Sequence, residues 1–143
     1  MNKKIVIIPF VILIVIIIVN FSSVKTSEKN DNIFHITLAD PNLYVDGAYN
    51  DKFTIEKGEY SFRFVPNGSS PKILSISLNS ISFSFSENFE LVGTPHQTGI
   101  SEYFTWDYDG ERNVLIPEKQ EISISINPNG NVMGSVSVDI LGN

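Results

Sequence analysis

Apolar and polar residues alternate at every second position along most of this chain, and this feature limits its possible folds most. Between residues 59 and 64, three aromatic side chains would share one face of a strand, with Ser61 and Arg63 on the other face. Residues 121–126 repeat the pattern with isoleucines and serines. Because strand side chains point to opposite faces in turn, this period predicts antiparallel sheets with one buried and one solvated face.

Segments of this kind are short and are separated by turn signals rich in Gly, Pro, Asn and Asp, at intervals of roughly 8–12 residues. The predicted strands are residues 34–39, 43–45, 52–55, 59–65, 73–78, 80–85, 89–92, 103–107, 113–116, 121–127 and 135–140. We therefore predict an all-β fold, an antiparallel β-sandwich of jelly-roll or immunoglobulin-like type with about eight to ten strands. A single N-terminal hydrophobic helix would precede it.

One stretch of the chain occurs twice, at an offset of 62 residues. Residues 53–78 align without gaps on residues 115–140, and eight of the 26 aligned positions are identical. Both copies contain Glu-Lys-x-Glu, an alternating apolar segment and then Pro-Asn-Gly. Each copy is too small to bury two faces alone. We therefore predict two related hairpin units that share one core about a pseudo-twofold axis.

The N-terminal segment from Ile5 to Phe21 is almost wholly apolar and follows Lys3 and Lys4. As a helix it would be roughly 25 Å long, a little shorter than the ~30 Å hydrocarbon core of a bilayer. Two interpretations stay open: residues 1–21 are a signal-anchor transmembrane helix, or they are a signal peptide whose removal leaves a secreted protein. Both predict a flexible tether at residues 22–32 and an extracytoplasmic domain at residues 33–143, because the lysines hold the N-terminus inside.

The composition excludes several classes of function. The chain has no cysteine, which rules out disulfides, thiolate metal sites and a cysteine nucleophile. After residue 21 it carries 16 acidic and eight basic residues, a net charge of −8, which argues against binding nucleic acid or anionic lipid. The sequon at Asn67 lies in an apparent turn and is a candidate for glycosylation in a host that glycosylates.

Aromatic residues are concentrated between residues 103 and 108. Here Phe104, Trp106 and Tyr108 alternate with Tyr103 and Thr105. One interpretation is a core strand that enters an Asp-Gly turn. The other is an exposed platform at the edge of the sandwich that stacks on sugar rings or on a protein partner. In that case Tyr103, Trp106 and Tyr108 would be the binding residues.

The carboxylates of Asp107, Asp109 and Glu111 occupy alternate positions around a glycine and are a candidate calcium site. The alternative is that they are solvated turn residues. The two histidines are far apart in sequence, with His35 in a predicted strand and His96 in a predicted surface loop at residues 93–99, so a shared metal site is not expected. No phosphate loop and no nucleophile elbow is present, and calcium is the one cofactor considered.

Residues 53–65 contain an apolar strand followed by Glu-Lys-Gly-Glu-Tyr-Ser-Phe-Arg-Phe. This rhythm resembles extracellular jelly-roll modules of the carbohydrate-binding-like and pre-peptidase C-terminal types. The likeness covers about 40 residues, rests on features common to sandwich domains and implies a fold more than a function.

The sequence thus favours a non-catalytic binding or scaffolding domain of the cell envelope, with a protein or a glycan as partner. The favoured location is the cell membrane, with a single pass and the domain outside the cytoplasm, or the medium after cleavage. Two alternatives stay open: an extracytoplasmic hydrolase that uses acidic residues, and a structural subunit of a surface or membrane complex. In that subunit, flat serine-rich faces and strand edges would pair with neighbouring subunits.

Overall fold

The computed structural model describes residues 31–143. Its strands are β1 (Asn32–Leu38), β2 (Tyr49–Ile55), β3 (Gly58–Pro66), β4 (Ile73–Asn79), β5 (Ser84–Thr98), β6 (Ser101–Asp109), β7 (Asn113–Ile116), β8 (Gln120–Asn127) and β9 (Val136–Gly142). The hydrophobic segment at residues 1–21 and the tether up to residue 30 lie outside the described residues. Within residues 31–143, no helix has the length and apolar character needed to cross a bilayer.

The nine strands form two antiparallel sheets, with orders β1-β9-β3-β7 and β2-β8-β4-β5-β6. The described chain is all-β, and the predicted β-sandwich agrees with this arrangement. Alternate residues of both sheets face inward and are buried, as in Ile122, Ile124 and Ile126 of β8. Each such side chain contributes about 1.5–3 kcal/mol by leaving water, so the period-two pattern fixes which face of each strand turns inward.

The core contains a cluster of aromatic rings between the two sheets. Phe64 of β3 lies 4.8 Å from Phe89 of β5 and 5.2 Å from Tyr108 of β6, measured between ring centroids. Phe62 lies 5.5 Å from Phe89 in an edge-to-face arrangement. These offset geometries are the ones that aromatic quadrupoles favour.

The two copies of the repeat share one core, but they are not hairpins. In the first copy β3 lies in one sheet and β4 in the other, and in the second copy β8 and β9 are divided in the same way. Each Pro-Asn-Gly loop therefore crosses between sheets. In each copy the apolar faces of the two strands lie on opposite sides of the core. Placing one strand in each sheet therefore buries both faces together.

The strand register supports the predicted pseudo-twofold axis. Phe62 in β3 pairs with Ile140 in β9, and the offset of 62 residues converts this pair into Ile124 and Leu78, which pair in the ladder of β8 and β4. The two central ladders are therefore equivalent. One additional strand, β6, extends the five-stranded sheet beyond β5 at one edge.

Three predicted elements were wrong in detail. Residues 43–45 are not a strand: a 3₁₀ helix spans Pro41–Leu43, with the Asp40 side chain accepting a hydrogen bond from the N–H of Asn42 as its cap. The segment predicted as a strand at residues 80–85 is mostly a turn, since β5 begins only at Ser84, and Ile81 is fully exposed. Residues 93–99, predicted as a loop, are largely strand, since β5 continues to Thr98.

Candidate functional site

The loop predicted around His96 is the distal half of one long strand. β5 pairs with β4 from Ser84 to Glu90 and with β6 from Glu90 to Thr98. Beyond Glu90, β6 is the neighbour of β5 among the described strands of the sheet. We call residues 92–98 of β5 and 101–107 of β6 the ribbon. At about 3.4 Å per residue it is roughly 20 Å long.

The ribbon extends from the end of the sandwich that is opposite the start of β1. Asn32 pairs with Leu141, which pairs with Ser61, and these residues define one end of the four-stranded sheet. Pro66 and both Pro-Asn-Gly loops lie at the other end. Because β4 begins after the first of these loops, the part of β5 past Glu90 continues beyond that end.

Exposed apolar side chains cover the ribbon. Tyr103 is 50% exposed and Phe104 is 47% exposed, and Ile100 in the turn at the tip is fully exposed. On one face, the rings of His96 and Tyr103 stack with their centroids 4.9 Å apart. On the other face, Phe104 stacks on Trp106 with centroids 5.8 Å apart. The ribbon therefore presents a stacked ring pair on each side.

Trp106 lies at the base of the ribbon, where two glycines leave room for its ring. Its ring crosses the backbone of Gly93 on the neighbouring strand, where an added Cβ would lie 2.6 Å from the Cζ3 atom. Its other edge lies against Gly68 of the first Pro-Asn-Gly loop, where an added Cβ would lie 3.1 Å from the ring. An added Cβ would clash with the ring at Gly93 and crowd it at Gly68, so both glycines favour this close approach. The indole is consequently half-buried and joins the ribbon to the sandwich.

The structure places Tyr108 in the core, so it does not belong to the exposed platform that the sequence suggested. Its hydroxyl donates a hydrogen bond to the carbonyl oxygen of Pro71 at 2.5 Å. Burial raises the pKa of the Tyr108 phenol well above its usual range, and the nearby phenol of Tyr44 adds to the effect. The aromatic segment is thus divided: Tyr108 packs inward, Trp106 is half-covered, and Tyr103 is displayed with its neighbour Phe104. Alternation alone could not make this division.

The calcium site suggested at Asp107, Asp109 and Glu111 is not formed. Asp107 forms an ion pair with Arg112 at 2.8 Å, Asp109 accepts a hydrogen bond from the next backbone N–H, and Glu111 accepts one from the N–H of Asn113. In the part of the chain that the structure describes, no group of three or more His, Asp or Glu side chains is arranged to hold a metal ion. Each carboxylate contacts a nearby cation or backbone N–H, and the three are not arranged around a common centre.

No protein-family model, curated protein or solved structure matches this chain.

Asn67 is exposed in the loop that supports Trp106. Its side-chain oxygen accepts hydrogen bonds from the N–H of Ser69 at 2.8 Å and from the Ser69 hydroxyl at 2.6 Å. Asn67 and Ser69 are the first and third residues of the sequon, and both are solvent-exposed. A glycan on Asn67 would therefore project beside the base of the ribbon.

A buried charge on the four-stranded sheet was missed by sequence reasoning. Asp139 in β9 is buried, and its carboxylate accepts hydrogen bonds from His35 at 2.6 Å, Arg63 at 2.9 Å and Asn32 at 3.1 Å. Burial acts to raise the pKa of Asp139, but these hydrogen bonds and the charge of Arg63 outweigh it and hold the pKa below its usual value. The one sequence signal was a single acidic residue within the otherwise uncharged β9.

The two histidines lie in different sheets, His35 in β1 and His96 in β5. His35 pairs with Asp139, while His96 stacks on Tyr103 and is hydrogen-bonded to the Thr105 hydroxyl at 2.9 Å. Each histidine thus belongs to a separate local network. The ribbon carries one of these networks and the outer face of the four-stranded sheet carries the other.

Proposed function

We propose that the chain is a non-catalytic binding or scaffolding domain of the cell envelope, and that it binds its partner through the ribbon. The observation that carries the proposal is the exposure of Ile100, Tyr103 and Phe104 on an extension that contributes little to the core. Exposed apolar side chains grouped on one projecting element are typical of interaction sites, and aromatic residues are enriched at the centres of interfaces. The partner would be a protein or a glycan.

The order of the strands in the two sheets supports an extracellular role. The strand orders β1-β9-β3-β7 and β2-β8-β4-β5 correspond to the eight strands of a jelly roll, with β6 added at one edge. We infer that the sandwich is a jelly roll. This architecture occurs in lectin domains, among many others, and agrees with the resemblance noted for residues 53–65.

The position of the ribbon fits a chain anchored at its N-terminus. We propose that residues 1–21 place the domain outside the cytoplasm, either as a membrane anchor or as a signal peptide that is removed. β1 begins at Asn32, at the end of the sandwich opposite the ribbon. An anchor attached there would direct the ribbon away from the membrane. The intact mass of the mature protein distinguishes the anchored form from the cleaved form.

The test compares the full chain with a ribbon variant that carries Ile100→Ser, Tyr103→Ser and Phe104→Ser. Ile81→Ser is the matched control, because Ile81 is also fully exposed but lies in the turn between β4 and β5, at the other end of the sandwich. Each protein is cross-linked in intact envelopes, its partners are recovered, and the purified protein is applied to a glycan array.

We expect the wild type and the control to recover the same partner and the ribbon variant to lose it, with all three melting at similar temperatures. Recovery of the same partners by the ribbon variant would refute the assignment of the site. A wild type that recovers no specific partner and binds no glycan would count against a binding function altogether.

A structural subunit is the second candidate, and the outer face of the five-stranded sheet favours it. Ser75 and Ser77 of β4 lie beside Ser123 and Ser125 of β8, with Ser77 paired directly to Ser125. Short uncharged side chains leave this face flat enough for another sheet to approach closely. In that case Ser77→Lys would disrupt an oligomer of the wild type, as measured by light scattering after gel filtration. A wild type that is monomeric at high concentration would exclude self-assembly through this face.

A further inference from the structure

The hairpin that carries the ribbon is acidic and contains no counter-charge of its own. Residues 84–109 include five carboxylates and no lysine or arginine, and the acidic residues are Glu87, Glu90, Glu102, Asp107 and Asp109. Two described cations adjoin this hairpin: Arg112 is paired with Asp107, and the carbonyl oxygen of Lys72 accepts a hydrogen bond from the N–H of Leu91. A partner that docks here meets exposed rings in a field of negative charge.

One face of the ribbon places the Glu102 carboxylate two residues along the strand from the ring of Phe104. Residues two apart on a strand share a face, so Glu102 lies on the same side as Phe104 and Trp106. Asp107 lies on the same side as Tyr103 but four residues further along the strand, and its carboxylate is paired with Arg112. A guanidinium group can lie on an aromatic ring while it forms a bidentate pair with a carboxylate, and both contacts favour the same ligand.

We propose that the ribbon binds a basic protein surface, with arginine or lysine side chains of the partner on its rings and against its carboxylates. This inference rests on the proposed binding function and names the class of partner. A second copy of the ribbon, an anionic glycan, a nucleic acid or an anionic membrane would each bring like charge to this surface and be repelled. A neutral glycan would use the rings but would offer no positive charge to the acidic side chains of the hairpin.

The experiment selects random linear dodecapeptides on the full chain held in phosphatidylcholine nanodiscs, with the ribbon variant used for counter-selection. The most enriched peptide is then synthesised with arginine and again with citrulline, which has the same shape but no charge. Binding is measured at 0.05 M and at 0.5 M NaCl. Two charge variants of the chain are compared: Glu102→Gln with Asp107→Asn in the ribbon, and Glu118→Gln with Glu121→Gln near the other end.

We expect the enriched peptides to carry net positive charge. Affinity should fall at least tenfold with citrulline, with high salt and with the ribbon charge variant, and should stay within twofold for the distal charge variant. Enrichment of neutral or acidic peptides, or binding that salt and citrulline leave unchanged, would overturn the inference.

Further arms distinguish the other occupants. Self-association that the ribbon variant abolishes would assign the surface to a second copy, binding to phosphatidylcholine vesicles would assign it to a membrane, and a hit on the glycan array would assign it to a sugar. Each of these results overturns the basic partner while the ribbon remains a binding site. If neither the peptides nor the envelope partners distinguish wild type from the ribbon variant, the proposed binding site itself fails.

Discussion

Asp139→Asn should destabilise the sandwich strongly, although the substitution barely changes the size of the side chain. Asp139 pairs directly with His35 of β1 on one side and with Arg63 of β3 on the other, so one carboxylate joins three neighbouring strands. His35 donates to one carboxylate oxygen at 2.6 Å, and Arg63 binds the other through two nitrogens at 2.9 and 2.8 Å. Both oxygens of this buried group are therefore hydrogen-bond acceptors, as only the ionised carboxylate allows.

The expected loss of stability follows from the hydrogen bonds that an asparagine side chain can accept. One oxygen is replaced by an NH₂ group, which would face either the ring nitrogen of His35 or the guanidinium of Arg63. At least one hydrogen bond to a charged group is lost, worth about 1.5–3 kcal/mol, and a buried donor is left poorly matched. The His35 and Arg63 side chains are 53% and 58% exposed and can recover water, which limits the penalty. We expect the free energy of unfolding to fall by about 2–4 kcal/mol.

The pH dependence has a definite sign. The pKa of Asp139 is lower in the folded protein than its ordinary value of 3.8, so the unfolded state binds the proton more tightly. The carboxylate therefore stabilises the fold above the unfolded pKa, and this contribution is lost as the pH falls through the folded pKa. Because asparagine does not titrate, the difference between wild type and Asp139→Asn should shrink as the pH falls below about 4.

Urea unfolding of the full chain, followed by the fluorescence of Trp106, measures these differences, since Trp106 is the one tryptophan of the chain. His35→Ala serves as a comparator and should cost only about 1–2 kcal/mol, because it removes one donor and leaves the charge paired with Arg63. A difference under about 0.5 kcal/mol for Asp139→Asn, the ordinary range for surface substitutions, would refute the reasoning. So would a difference that is the same at pH 7 and pH 3.

Two further pairs of substitutions test the packing around the ribbon and at its base. Gly93→Ala should displace the indole of Trp106, shift its emission and cost about 1–3 kcal/mol, whereas Gly68→Ala should cost less because its added Cβ lies 3.1 Å from the ring instead of 2.6 Å; equal effects would contradict the geometry. Tyr108→Phe should cost about 1–3 kcal/mol by leaving a buried carbonyl oxygen without its donor. Tyr44→Phe should be neutral or stabilising in urea unfolding, because the Tyr44 hydroxyl is buried without a hydrogen-bond partner within residues 31–143; a clear loss of stability would show that this hydroxyl is satisfied.

Much of the fold could be predicted because the signal lies within single strands. Alternation placed β3, β8 and β9 within a few residues and assigned their inner faces, since a strand turns successive side chains to opposite sides whatever surrounds it. The repeat predicted two related units in one core, and the register of the central ladders agrees with it. The division of each unit between two sheets was missed, because the loops between the strands, of six and eight residues, are long enough either to close a hairpin or to cross the core.

Two features of the candidate site could not be predicted, because each depends on residues that are brought together only by folding. The length of β5 was missed because Gly93 and Pro95 read as loop residues, whereas pairing with β6 holds them in a strand. The candidate calcium site failed because local backbone donors and Arg112 occupy the carboxylates, which no sequence spacing reveals.

The sequence by itself determined that the described part of the chain would form strands and which side chains of each strand would share a face, because both follow from residue type and a period of two. Tertiary structure decided which of the shared faces would be covered. Phe64 covers Tyr108, the loop at Gly68 covers part of Trp106, and Phe104 is left exposed. Burial is a property of whatever lies opposite a side chain, and what lies opposite is set by residues distant in the sequence.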